Sequence, residues 1–264
     1  MKLPDIRRGV RACLALGLMT AAPRRSPATV ADVLDALLRE PGRPRITWYG
    51  SDGERVELSG AVLVNWVNKT TNLLVEELDA GPGTRVLLDL PPHWRTLVWA
   101  LATWRTGACT VPSGTDGTSV DGAPADVVVT HRPADHRGAA DVVAVTLPAL
   151  ARRFDGDLPA GVLDAAADVM TYGDVIGWTP ATAPEREALP GTSHADLLAA
   201  TSARDAVRGA RSLQRAGHGP VDASVLTDWL AALSADGSLV LVGQGAAVDV
   251  ERVVATERVT VVAD

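Results

Sequence analysis

The segment from Val56 to Pro112 constrains the fold more than any other part of the chain, because helix, turn and strand signals follow one another in it. Ser59 is a good N-cap, since its hydroxyl can accept a hydrogen bond from a free backbone N–H of a first helical turn. Apolar residues then recur at helical spacing as far as Leu78. Gly81-Pro82-Gly83 ends this helix, because Gly tolerates the left-handed conformation and Pro cannot continue the hydrogen-bond ladder.

A strand, a second helix and a second strand complete the segment. Arg85–Leu90 is a nearly continuous apolar run, which is typical of a strand covered on both faces. His93–Thr106 carries apolar residues at helical spacing, Gly107 closes it, and Cys109–Val111 is short and mostly apolar. We therefore predict a βαβ unit, and for the chain an α/β fold of mostly parallel sheet layers with flanking helices.

Four motifs in this segment occur in an order that resembles a known family. They are Leu58-Ser59 before the long helix, Gly81-Pro82-Gly83-Thr84-Arg85-Val86, Pro91-Pro92-His93-Trp94 and Gly107-Ala108-Cys109-Thr110-Val111-Pro112. The order is similar to the N-terminal part of the adenylate-forming (AMP-binding) synthetase superfamily, of the acyl-CoA synthetase and adenylation-domain type. The resemblance is thinner from Val225 to Thr260 and covers roughly Val30 to Asp264. It implies the fold of that family, with ATP or AMP and Mg as possible ligands, while the residues themselves indicate no cofactor.

In that family, a Thr/Ser/Gly-rich loop ending in Pro-Lys-Gly holds the ATP phosphates and precedes a Thr/Ser-His segment that begins a helix. Thr192, Ser193 and His194 resemble this segment and are the candidate cofactor-binding residues. Only Leu189-Pro190-Gly191 stand directly before them, so we expect the phosphate loop to be deleted.

Two further features bear on phosphate binding. Ser113–Thr118 imitates the loop in composition, yet it lacks Pro-Lys-Gly and carries Asp116, and we interpret it as a turn. The chain has only two lysines, Lys2 and Lys69, and neither is close in sequence to the Thr/Ser-His segment.

The resemblance places the ribose-binding aspartate, the adenine-contacting motif and a catalytic lysine of the family beyond Asp264, so we expect no catalytic residue here. The first hypothesis is a truncated, non-catalytic module that binds a ligand or a partner. A homodimer or a protein partner is expected to cover the face that the missing C-terminal half would occupy. The alternative is an adenylate-forming ligase that activates an acyl group with ATP, through an atypical phosphate site around Ser193 or with a separate chain.

Composition excludes several classes of protein. The 264 residues carry a net charge of −7, which gives no basic surface for nucleic acid. No stretch reaches the roughly 20 apolar residues of a membrane-spanning helix. The two cysteines, Cys13 and Cys109, cannot form a disulfide framework. We expect a cytoplasmic protein with no nucleic-acid or membrane partner.

We expect two parts in the chain. Residues 1–28 are interpreted as a disordered arm or as an extension upstream of a true start at Met19. Residues 29–264 are expected to form a single α/β domain of two lobes, with a loop-rich excursion at about residues 155–190. Leu147–Phe154 is predicted to be a helix.

Two smaller predictions concern side chains. His131, Asp135 and His136 are close in sequence, but two histidines in a polar loop are usually solvated, and we predict no metal site. Trp99 lies off the main apolar stripe of its helix, which suggests a contact surface.

Overall fold

A computed structural model describes residues 27–139, 141–202, 204 and 206–263, and most of the predicted N-terminal extension lies outside these residues. The helices are α1 Val30–Leu37, α2 Gly60–Leu78, α3 Trp94–Thr106, α4 Ala165–Asp168, α5 His194–Ser202, α6 Ala223–Ser234 and α7 Val250–Thr256. The strands are β1 Pro44–Tyr49, β2 Arg55–Ser59, β3 Arg85–Asp89, β4 Cys109–Pro112, β5 Val127–Thr130, β6 Asp141–Ala144, β7 Leu163–Asp164, β8 Glu187–Leu189, β9 Thr192–Ser193, β10 Arg211–Arg215, β11 Ser238–Val242 and β12 Val261–Val262. Short 3-10 helices span Pro133–His136 and Val169–Thr171.

The described strands form two five-stranded sheets and a small antiparallel pair, β8 with β9. The first sheet has the order β12-β10-β11-β1-β2, and all its neighbours are parallel except β2, which pairs with β1 as a hairpin. The second sheet has the order β4-β3-β5-β6-β7 and is parallel throughout. The predicted α/β class with parallel sheet layers and flanking helices is confirmed.

The predicted βαβ unit is present as β3, α3 and β4, with β3 and β4 parallel. Hydrogen bonds and backbone conformation near the ends of α2 and α3 define where these helices begin and end. The Ser59 hydroxyl accepts a hydrogen bond from the Val62 N–H (3.3 Å) at the start of α2. At the start of α3, His93 Nδ1 accepts from the Arg95 N–H (3.1 Å). Gly107, with φ of 81°, ends α3 in the left-handed conformation that glycine adopts without strain.

One apolar core joins the two sheets through α2 and α3. It contains Ile46 and Leu239 of the first sheet, Leu88 and Val129 of the second, and the fully buried Trp94 of α3. Trp99 belongs to the same core and is only 3% exposed, so the suggestion that it marks a contact surface is wrong. Its helix is buried on nearly all sides, so a residue outside the main apolar stripe of this helix still faces the core.

The structure differs from the sequence prediction in two further places. Leu147–Phe154 is an irregular loop rather than a helix. The guanidinium of Arg95 donates to the carbonyls of Pro148 (3.2 Å) and Ala149 (3.3 Å), which ties the loop to α3. Strand β10 was not predicted, because Arg211–Arg215 is mostly polar. Within the described residues, no helix has both the length and the hydrophobicity needed to cross a membrane.

We call residues 172–186 of the loop-rich excursion the strap. Its first residues lie against α2, and its last residues reach the start of α5. The Asn68 amide donates to the Asp174 carbonyl (2.7 Å), and the Asn72 amide donates to the carbonyls of Gly173 (3.1 Å) and Val175 (3.0 Å). Side-chain amides of α2 thus donate hydrogen bonds to the backbone carbonyls of the strap, which has almost no secondary structure of its own.

Candidate functional site

The three candidate cofactor-binding residues lie together at the start of α5. Thr192 and Ser193 form β9, and His194 is the first residue of the helix. The Ser193 hydroxyl accepts a hydrogen bond from the Asp196 N–H (3.1 Å) and donates one to the Asp196 carboxylate (2.7 Å). Ser193 is therefore the N-cap of α5, as predicted.

The other free N–H groups of this helix start are bonded to the strap. The His194 N–H donates to the Arg186 carbonyl (2.9 Å), and the Ala195 N–H donates to the Pro184 carbonyl (3.0 Å). A helix start binds phosphate through N–H groups that have no other partner. In this conformation the N–H groups of His194 and Ala195 are not free to bind an ATP phosphate. Whether they contact a nucleotide at all stays a prediction.

The side chain of His194 is buried beneath the same contacts. Burial lowers the pKa of its imidazole, and the nearby backbone of Gly107 and Ala108 acts in the opposite direction. Its Nε2 is buried without a hydrogen-bond partner among the described residues. A neutral, enclosed imidazole gives no positive charge to offset a phosphate.

Lys69 is the one lysine that the described residues contain, and the strap holds it too. Its ammonium lies 2.7 Å from an oxygen of the Asp174 carboxylate and also donates to the Tyr172 carbonyl. A lysine that neutralises phosphate must be free to reach it, and this one is paired on the outer side of α2.

The phosphate-loop imitation, Ser113–Thr118, is a closed turn. The Gly114 N–H donates to the Thr118 carbonyl (2.7 Å), and Asp116 accepts from both the Thr118 N–H (3.0 Å) and its hydroxyl (2.8 Å). These hydrogen bonds lower the pKa of Asp116. The interpretation of this segment as a turn is confirmed.

His131, Asp135 and His136 have different partners. His136 contacts the buried carboxylate of Asp89, His131 Nδ1 lies 3.0 Å from the Asp89 backbone carbonyl, and Asp135 lies 3.6 Å from Arg132. Asp89, at the end of β3, is 0% exposed, and its oxygens lie 2.9 Å from His136 Nε2 and 2.7 Å from the Arg132 guanidinium. The hydrogen bonds from Arg132, Thr130 and His136 outweigh burial and lower the pKa of Asp89 to about 2. Among the described residues, no group of three or more potential ligands has the arrangement that holds a metal ion.

A crevice of about 420 Å³ opens where the carboxyl ends of strands from both sheets meet. The loops that follow β1, β3, β6, β10 and β11 line it, with residues 48–54, 91–93, 147–148, 216–217 and 243–244. Ligands of open parallel sheets bind outside the carboxyl ends of the strands, and pockets of 300 to 1,000 Å³ are typical of small-molecule sites. This crevice is therefore the candidate binding site that the geometry favours.

Sequence reasoning did not find the crevice, although a signal was present. Gly50, Pro91 and Gly243 each follow directly or closely on an apolar strand, where the carboxyl edge of a sheet lies. Which of these loops face each other depends on the packing of two sheets, and no single segment contains that information.

Comparison with known proteins identifies the chain. No family model matches it. A protein of Mycobacterium tuberculosis (strain ATCC 25618 / H37Rv), described as a TIGR03089 family protein, is 36% identical over 257 residues, which is 89% of this chain and 98% of that protein. The chain belongs to the TIGR03089 family.

Solved structures show that this TIGR03089 family member has the fold of adenylate-forming synthetases. A putative long-chain-fatty-acid CoA ligase from Rhodopseudomonas palustris has a TM-score of 0.67 at 20% identity, over 89% of this chain and 63% of that one. An acyl-CoA synthetase from Brucella canis has a TM-score of 0.64 at 18% identity, over 89% of this chain and 46% of that one. A fused adenylation-PCP di-domain from Klebsiella oxytoca has a TM-score of 0.62 at 15% identity, over 89% of this chain and 42% of that one.

The predicted resemblance to part of the adenylate-forming fold is thus confirmed. The chain spans about half the length of the solved structures it matches, and nearly the full length of the mycobacterial protein.

Proposed function

We propose that this TIGR03089 family protein is a synthetase-like module that forms no acyl adenylate by itself and acts by binding a ligand or a partner. The observation that carries the proposal is the start of α5, where carbonyls of Arg186 and Pro184 take the N–H groups that a phosphate would need. In this proposal, backbone carbonyls of the strap take the hydrogen bonds that a phosphate at this helix start would need.

The crevice at the carboxyl ends of the two sheets supports the ligand-binding part of the proposal. It is preformed, and its loops are fixed by hydrogen bonds, including one of 2.7 Å from the Ala149 N–H to the Glu54 carboxylate. A rigid cavity between the two sheets costs little ordering free energy when a ligand enters it.

A partner is the second part of the proposal. The solved synthetases that share this fold are longer, so a protein partner or a second copy of the chain is expected to cover the face that their additional residues occupy. Light scattering at micromolar concentration tests for a homodimer. A strictly monomeric protein would contradict self-association and leave a separate protein as the partner to be sought.

The alternative is an adenylate-forming ligase that uses ATP through an atypical phosphate site or together with another chain. The fold similarity to synthetases and ligases favours it. It requires the strap to leave the start of α5, because the donors there are otherwise occupied.

Isothermal calorimetry with MgATP separates the two functions. We expect no saturable heat at millimolar MgATP with the wild-type chain, because the α5 donors are occupied. The variant His194→Ala and its control His218→Ala, which removes an exposed imidazole, are titrated in parallel. Saturable binding that His194→Ala weakens and His218→Ala leaves unchanged would contradict the proposal and favour the ligase.

A further inference from the structure

We propose that the crevice takes an uncharged or cationic small molecule with an apolar body, a hydrogen-bond acceptor and a donor, and that it discriminates against carboxylates and phosphates. The inference rests on the proposed function, which places the ligand in this crevice.

The requirement for an acceptor comes from Trp48. Its side chain lines the crevice and is 6% exposed, and its indole N–H has no hydrogen-bond partner among the described residues. Its Nε1 lies 3.2 Å from the position that a Cβ on Gly50 would take. An Asp52 oxygen lies 2.8 Å from the same position, so an acceptor reaches the N–H beside Gly50 when the Asp52 side chain turns away. A buried donor without a partner is costly, and a ligand acceptor beside Gly50 would satisfy it.

A second donor is expected from His93. Its Nδ1 accepts a hydrogen bond from the Arg95 N–H (3.1 Å), which leaves the proton of the neutral ring on Nε2. Burial, with a smaller contribution from the Arg95 charge, lowers the pKa of His93 to about 3, so the ring stays neutral near pH 7. The rings of His93 and Trp48 are 4.4 Å apart, which places both groups on one wall.

The charges of the crevice are negative. Asp52 and Glu54 line it, and no lysine or arginine does so among the described residues. Arg95 interacts with Glu54 from behind the loop of Pro148, which offsets part of the Glu54 charge. Asp52 is in no ion pair within the described residues, and one of its oxygens lies 2.8 Å from the same Gly50 Cβ position.

Charged groups farther from the crevice do not make its charge positive. Arg215 lines the adjacent cavity of about 110 Å³, where Asp228 accompanies it. Arg215 is exposed to solvent, which screens its charge. An ammonium or amide N–H near Asp52 is therefore favoured, and a second carboxylate there is repelled.

Ser51 and Gln244 also line the crevice, and the rest of its wall is apolar. Pro91, Pro92, Leu147 and Pro148 face the crevice and have no hydrogen to donate from their side chains. They suit the body of a small aromatic or aliphatic molecule, held between them and the polar wall of Trp48 and His93.

Three probes of nearly equal size test the ligand class: 4-methoxybenzylamine, 4-methoxybenzamide and 4-methoxybenzoate. Each carries a methoxy oxygen as the acceptor, and they are named below benzylamine, benzamide and benzoate. The readout is the indole N–H resonance of Trp48 in ¹⁵N-correlated NMR spectra, assigned with Trp48→Phe. We expect saturable shifts with benzylamine and benzamide, and binding of benzoate about tenfold weaker than that of benzylamine. Asp52→Asn should reduce this difference by weakening benzylamine and leaving benzamide unchanged.

A matched pair of glycine variants tests the place of binding. A Cβ on Gly217, in the crevice, meets no atom within 4 Å, and the same holds for Gly42, in the turn after α1. Neither glycine has a positive φ, so both accept a side chain without strain. We expect Gly217→Leu to abolish the shifts by filling the crevice, and Gly42→Leu to preserve them.

The possible failures are distinguishable. Benzoate binding as tightly as benzylamine, with both abolished by Gly217→Leu, would overturn the ligand class and leave the crevice as the site. Shifts that Gly217→Leu does not alter, or no binding of any probe, would overturn the crevice itself and with it the ligand-binding part of the proposed function.

Discussion

Replacement of Asp89 by Asn tests how the second sheet is held together at its carboxyl edge. Asp89 is fully buried, and it receives hydrogen bonds from the Arg132 guanidinium (2.7 Å), the Thr130 hydroxyl (2.6 Å) and His136 Nε2 (2.9 Å). The amide keeps the shape but removes the charge, and its NH₂ group cannot accept. Removal of the carboxylate leaves the guanidinium of the partly exposed Arg132 and the ring of His136 without their charged acceptor.

The magnitude follows from the pKa of Asp89, which falls from an ordinary value of 3.8 to about 2. That difference corresponds to about 2 kcal/mol of stability at neutral pH. Because the folded pKa is depressed, this contribution is present above pH 3.8 and is lost as pH falls toward 2. We expect Asp89→Asn to lower the free energy of unfolding by about 2 to 3 kcal/mol at pH 7.

Urea unfolding followed by circular dichroism measures the effect. Asp135→Asn is the matched control, since it removes an exposed carboxylate 3.6 Å from the same Arg132 and should cost less than about 0.5 kcal/mol. The difference between wild type and Asp89→Asn should be constant from pH 7 to 5 and shrink below pH 4. A loss equal to that of the control, or one independent of pH down to 2, would refute the reasoning.

Two further substitutions probe the first sheet and the contact between α1 and α2. Glu257→Gln removes a nearly buried carboxylate that accepts hydrogen bonds from Tyr49 and two arginines and so joins the end of α7 to three strands. We expect the free energy of unfolding in urea to fall by about 2 kcal/mol. Glu57→Gln, in an exposed ion pair, is the control, and an equal loss in both variants would contradict this. Gly60→Ala should lower the melting temperature, although Ala is the better helix former, because the added Cβ would lie 2.6 Å from the Leu37 carbonyl oxygen. A higher melting temperature would show that this close approach relaxes at little cost in free energy.

Much of the fold follows from local signals in the sequence. Helices α2, α3 and α6 begin at Ser59, His93 and Asp222, where a side chain accepts from a backbone N–H of the first turn. These signals act over three or four residues, so a single sequence contains them completely. The βαβ unit was predicted for the same reason.

The errors have a common physical cause, which is dependence on distant partners. Leu147–Phe154 is a loop because Arg95 binds its carbonyls, and β10 is a strand because parallel neighbours pair with its backbone on both sides. The candidate phosphate segment was located at the start of α5, but its donors are bonded to Pro184 and Arg186 of the strap, whose path has no local signal. The crevice likewise requires two sheets to be packed before it exists.

The most direct test of the central claim is an NMR titration of the backbone amides of His194 and Ala195 with MgATP. These two N–H groups donate to strap carbonyls at 2.9 and 3.0 Å. We predict that both resonances stay unchanged at millimolar MgATP, because the donors are already bonded within the chain. Saturable shifts of both amides would contradict this prediction. If the amides of Arg186 and of the residues next to Pro184 shift at the same MgATP concentrations, phosphate displaces the strap.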